Sequence, residues 1–158
     1  MSDMFAKPQP AELYFTVPGE VRGKGRPRTR VVTAEHEKSF AHVYTDAKTK
    51  NYEARIATYA MQAKGRAGWA MVMDEPLRLD VAAWIAIPKS WSKKKRAALD
   101  GQFSTSRIDG DNILKSCLDA CHNVIYQDDK VVAMMTCTKR WIADPKLERL
   151  VIRVSRCV

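Results

Sequence analysis

Asp109-Gly110-Asp111-Asn112-Ile113-Leu114-Lys115-Ser116-Cys117-Leu118-Asp119-Ala120-Cys121 carries two patterns at once. Ile113, Leu114, Cys117, Leu118 and Cys121 recur at helical spacing and predict a buried stripe. Asp111, Lys115 and Asp119 stand four apart on the opposite side, so a helix starting close to Asp111 presents acids and a lysine to solvent.

The segments on either side of this helix read as strands. Upstream, Leu77, Leu79, Val81, Ala83, Ile85 and Ile87 are apolar at every second position, while Arg78 and Asp80 point the other way. Trp84 on that second face predicts that it too is partly covered, by a helix. Pro88 closes the strand, and Ser90 or Ser92 caps a short basic helix, Lys93-Lys94-Lys95-Arg96-Ala97-Ala98-Leu99. Downstream, strands are expected over about 131–140 and 147–154, with Asp144-Pro145 in the turn between them.

Nearer the amino end, Leu13-Tyr14-Phe15-Thr16-Val17 predicts a first strand stopped by Pro18-Gly19. Arg22-Gly23-Lys24-Gly25-Arg26-Pro27-Arg28-Thr29-Arg30 has too much glycine, proline and like charge for a stable helix or central strand, and is expected to be a flexible cationic arm or loop. Tyr52, Ile56, Tyr59, Ala60 and Ala63 then mark an amphipathic helix over roughly 49–64, ended by Gly65 and Gly68. The order strand, helix, strand, short helix, helix, strand, strand predicts a single α/β (α+β type) domain, a mixed sheet with helices on one face. Residues 1–12 are expected to be a flexible tail and 13–158 the domain.

The 158 residues, 46% apolar, suffice for one core, and 27 Lys and Arg against 18 Asp and Glu give a formal charge of +9. That excess predicts attraction to phosphate backbones or acidic surfaces. No apolar run is long enough to cross a bilayer and the first residues lack the hydrophobic centre of a secretion signal, so a cytoplasmic protein is expected. Cys117, Cys121, Cys137 and Cys157 form no CxxC pair and read as reduced, small hydrophobes. His36, His42 and His122 have no zinc-site spacing with them.

Carboxylates gathered in a chain that attracts polyanions suggest a divalent-metal site acting on a phosphodiester. Asp109 and Asp111 lie where loop becomes helix, and Gly110 lets the backbone turn so that both approach one ion. Asp128 and Asp129, past a short connection, could return a third carboxylate. Lys115 is either part of a salt-bridge ladder or an ammonium aimed at the scissile phosphate. Asn112 steadies the loop or holds a ligand. Arg22, Lys24, Arg26, Arg28 and Arg30, with Lys93, Lys94, Lys95 and Arg96, form two basic patches expected to contact a DNA or RNA backbone, and Trp91 is the aromatic best placed to join them.

Arg107-Ile108-Asp109-Gly110-Asp111-Asn112-Ile113-Leu114-Lys115-Ser116-Cys117-Leu118-Asp119-Ala120, followed by Val124-Ile125-Tyr126-Gln127-Asp128-Asp129-Lys130-Val131-Val132, resembles the signature of the RusA family of Holliday junction resolvases, common in phages and prophages. Gly23-Lys24-Gly25-Arg26-Pro27-Arg28 and the Pro88-Lys89-Ser90-Trp91-Ser92 helix start extend the resemblance over roughly 13–154. It implies a small homodimeric endonuclease of mixed α/β fold that uses magnesium or manganese to place paired nicks across four-way DNA junctions. By the same resemblance the metal carboxylates are Asp109, Asp111 and Asp129, with Asp128 a possible addition, and the essential lysine is Lys115. Gly110 stands where the family often has a bulkier aliphatic residue. A nuclease acting on forks or flaps, and a non-catalytic DNA-binding protein, are the alternatives.

Overall fold

A computed structural model describes residues 8–33 and 40–157. Strands β1 (Glu12–Pro18), β4 (Leu77–Ala86), β5 (Val132–Ile142) and β6 (Arg149–Arg156) form one mixed sheet in the order β1-β6-β4-β5. β6 runs antiparallel to both β1 and β4, whereas β4 and β5 are parallel. Helices α1 (Ala47–Ala67) and α3 (Gly110–Cys121) pack on each other and on one face of the sheet, and the short α2 (Lys93–Leu99) lies in the β4–β5 crossover. The α/β class, the mixed sheet and the one-sided helices agree with the sequence pattern.

The alternation read in β4 sets the core. Leu77, Leu79, Val81, Ala83 and Ile85 are buried with Ile152 and Val154 of β6, and α1 adds Tyr52, Ile56, Ala60 and Ala63 from one stripe. Full burial of a Leu or Ile stabilises by about 1.5–3 kcal/mol. From α3, Ile113, Cys117, Ala120 and Cys121 join this core, while Leu114 and Leu118 are only partly buried against it. The described cysteines are free thiols, and desolvation pushes Cys121 up to about 12, in keeping with its use as a small hydrophobe. No helix among the described residues is long and apolar enough to cross a membrane.

Three local expectations are corrected. The cationic stretch is not loop throughout: β2 (Arg28–Val32) pairs antiparallel with β3 (Phe40–Tyr44) in a separate two-stranded sheet. Charge and proline hid the Thr29, Val31 and Val32 side chains that favour extended backbone. Gly65 does not end α1, which runs on to Ala67 and is capped by Gly68 in the left-handed conformation, φ 67°. Trp84 is covered by the Arg149 guanidinium of β6, 4.9 Å from its ring centre, where a helix was expected. The expected tail falls largely on residues outside the described ones; Gln9 and Ala11 accept hydrogen bonds from the amides of Ala70 and Arg156.

Asp46 starts α1. Its carboxylate accepts from the Thr49 amide and hydroxyl, both at 3.0 Å, and those bonds hold it below the usual carboxylate range. The Gly25 amide donates to the same Thr49 hydroxyl at 3.2 Å, so the chain crosses the helix start at close range. A Cβ on Gly25 would lie 2.5 Å from Asp46 Oδ2 and 2.8 Å from Thr49 Oγ1. Gly25→Ala is therefore expected to cost about 1–3 kcal/mol, read as a lower Tm; an unchanged Tm would show that the loop moves aside freely. Because the folded state depresses the Asp46 pKa, its contribution is present above the unfolded pKa and lost as pH falls through the folded one. Acid titration of stability is expected to be shallower in Asp46→Asn than in the parent.

Candidate functional site

The loop that follows α2 brings the chain back to β5, where α3 begins. Asp109 occupies the N-cap, its carbonyl accepting from the Ile113 amide at 3.2 Å, yet its carboxylate makes no capping bond. Such a carboxylate ordinarily accepts a free amide of the first turn. Here its one side-chain hydrogen bond among the described residues is a long one, 3.5 Å, from Asn112 Nδ2. Asp111, in the first turn, is 67% exposed, and Lys115 Nζ, 58% exposed, lies 3.3 Å from its Oδ2. Asp109, Asp111 and Lys115 are thus gathered at the start of one helix.

Gly110 is the first helical residue and keeps a negative φ, so its freedom to turn is not used. An added Cβ would meet Cys137 Sγ at 3.6 Å, ordinary contact. The expected ladder Asp111–Lys115–Asp119 is broken: Lys115 pairs with Asp111, while Asp119 is ion-paired with Lys24, which also lies 3.5 Å from Glu53 of α1. The Lys24 amide donates to the Asn112 carbonyl at 2.9 Å, and a Cβ on Gly23 would stand 3.0 Å from Asn112 Cβ. Lys24 joins α1 to α3.

Asp128 and Asp129 follow α3, at the entry to β5. Asp128 accepts from the Lys130 amide at 3.0 Å and is held below the usual carboxylate range by that bond, with the Lys130 ammonium 3.7 Å away. Asp129 opens the single 3₁₀ turn that leads into β5. Its charge, after burial and Cys121, helps push up the Tyr126 hydroxyl, which donates to the Leu118 carbonyl at 2.9 Å in the later half of α3. No group of three His, Cys, Asp or Glu side chains able to hold an ion exists among the described residues. The start of α3 supplies two carboxylates with free oxygen lone pairs. As hard donors they fit a magnesium ion that keeps most of its waters.

The basic residues divide by what already engages them. Arg22 is paired with Glu20 at 2.7 Å and Lys24 is bound as above. Arg26, Arg28 and Arg30 are exposed, the last two on the same side of β2 opposite Tyr44 and His42. Lys93 and Lys94 are exposed as well. Lys95 lies 3.7 Å over the Trp91 ring, Arg96 donates to the Ala143 carbonyl at 2.8 Å, and Trp91 packs edge-on against Trp141, which makes Trp91 a packing residue. His36 lies outside the described residues.

Lys139 escaped the sequence reading. From β5 its ammonium donates to the carbonyls of Ser106 at 3.1 Å and Ile108 at 2.8 Å, the residues that lead into Asp109. Its only signal was a lysine within a run otherwise read as strand.

A family profile described as Endodeoxyribonuclease RusA matches residues 18–155. The chain is also similar to the uncharacterized protein YqaN of Bacillus subtilis (strain 168), 31% identical over 147 residues, covering 90% of this chain and 97% of that protein.

Lys139→Met keeps much of the side-chain volume and removes both bonds to the loop. It is expected to cost about 1.5–3 kcal/mol and to speed hydrogen exchange at the amides of residues 106–109. Exchange unchanged there would show that the loop is held by other contacts.

Proposed function

The chain belongs to the RusA family of endodeoxyribonucleases, and we propose that it resolves four-way DNA junctions by paired, symmetric, magnesium-dependent nicks. The observation that carries this reading is the carboxylate of Asp109, which makes no capping bond, beside Asp111 and Lys115 on one exposed helical turn of a chain with a formal charge of +9. Two acids facing solvent work against binding of a polyanion unless a cation stands between them and it. That favours a cutting enzyme over a protein that only holds DNA.

In this proposal Asp109 and Asp111 hold the ion, with Asp129 the third carboxylate by family likeness and Asp128 a neighbour already engaged by Lys130. Magnesium, or manganese in its place, supplies an activated water and neutralises charge developing at phosphorus. Lys115 turns its ammonium from Asp111 toward a non-bridging oxygen and stabilises the same charge. Asn112 restrains Asp109, and Lys139 holds the strand of loop on which Asp109 is carried. Arg26, Arg28 and Arg30, with Lys93 and Lys94, bind the arms of the junction. Because the junction is two-fold symmetric, a homodimer supplies the two sites that simultaneous cuts require.

Purified protein offered a mobile four-way junction, a fork, a flap and a linear duplex is expected to nick the junction in pairs with magnesium and to be silent with chelator. Asp111→Asn and Lys115→Ala are each expected to slow cutting about 10²–10³-fold while junction affinity stays within a few-fold. Undiminished cutting would remove them from the chemistry, and faster cutting of forks or flaps would reassign the substrate.

A further inference from the structure

Beside the loop that joins β1 to β2 there is a cavity of about 370 Å³ lined by Arg22, Lys48, Asn51, Tyr52 and Arg55. Three cations and no carboxylate face it. Arg22 is paired at its exposed side with Glu20, and Arg55 donates through Nη2 to the Glu20 carbonyl at 2.7 Å while lying over the Tyr52 ring. These contacts fix the two guanidinium groups without exhausting their donors. Arg55 Nε and the hydroxyl of Tyr52 are buried with no hydrogen-bond partner. Tyr52 is only 3% exposed; the Arg22 amide is directed at its hydroxyl oxygen, and the O–H has no acceptor among the described residues.

Buried donors left unmatched cost about 1–3 kcal/mol each, and two that share one cationic cavity call for an acceptor. An anion with several oxygens answers both. The position adds to this. Arg22 is two residues before Lys24, whose amide is bonded to the Asn112 carbonyl, so the cavity and the start of α3 are bridged by one short stretch of backbone. At most about 3.6 Å per residue separates them along the chain.

Resting on the nuclease reading above, we propose that Arg22, Lys48, Arg55 and the Tyr52 hydroxyl form a subsite for a backbone phosphate of the DNA strand, flanking the phosphate held at Asp109 and Asp111. Arg55 and Tyr52 are the parts that direct recognition, because their unpaired donors are fixed in place; Lys48, exposed at the rim, adds charge. Asn51 offers a further amide donor. The subsite sets the register of the strand on the enzyme and takes no part in bond cleavage.

The test measures binding to a four-way junction in calcium, without cleavage, across a series of salt concentrations. Tyr52→Phe is expected to weaken binding about tenfold with little loss in Tm, since the O–H donates to no acceptor among the described residues. Arg55→Gln is expected to weaken it similarly and to reduce the slope of log affinity against log salt by about 1. Arg66→Gln, at the far end of α1, should leave both unchanged. Replacing single flanking phosphates by neutral methylphosphonates should weaken the parent at one position where Arg55→Gln loses nothing more. Parent-like affinity and slope in both Tyr52→Phe and Arg55→Gln would overturn the subsite. So would a Tyr52-dependent melting shift with inorganic phosphate alone, without any change in DNA affinity. A parent protein that neither binds nor cuts the junction would instead overturn the nuclease reading itself.

Discussion

The parallel pairing of β4 with β5 governs the arrangement of everything that bears on chemistry. Antiparallel neighbours can be joined by a tight turn, but parallel ones need a crossover of a dozen or more residues, usually helical. Here that crossover contains both α2 and α3. It returns to the sheet along β5, with Gly110 against Cys137, and so sets the first turn of α3 beside the edge strand with its polar side outward. Asp109, Asp111 and Lys115 are displayed there because the apolar stripe of the same helix has nowhere else to go.

A second tie fixes α3 from the other side. The segment from Gly23 to Gly25 threads between the starts of α1 and α3, with backbone bonds to Asn112 and to the Thr49 side chain and an ammonium between Glu53 and Asp119. Neither glycine adopts a positive φ; each is needed because another chain segment passes where a Cβ would be. Lys24 is thus removed from the pool of cations free to meet DNA, and what it contributes is the relative placement of two helices.

The core was legible because its patterns are strict. Alternation in β4 and three-and-four spacing in α1 and α3 are consequences of burying one face, and they survive in a single sequence. The carboxylates at the start of α3 were legible as a motif, since loop-to-helix position and spacing follow from local sequence. What could not be read were relations between distant segments. Lys24 looks like any member of a basic run until Asp119 is found beside it, and Lys139 looks like a strand residue until the carbonyls of Ser106 and Ile108 are seen to converge on it. The surroundings of Asp129 were hidden for the same reason: they depend on how the 3₁₀ turn enters β5. The β2–β3 pair is obscured in the sequence because the charge and proline around Arg28 mask the β-branched content of Thr29, Val31 and Val32.

That pair carries a wider implication. Every side chain of β2, and those of Ala41, His42, Val43 and Tyr44 in β3, is exposed, and the two strands hydrogen-bond to each other and not to the main sheet. Residues there add little to folding free energy, because even the most covered large apolar side chains described in the pair, Val32 and Tyr44, remain 38% and 39% exposed. The core and this ribbon are consequently separate in the structure. Substitutions can accumulate in the ribbon without putting the scaffold at risk.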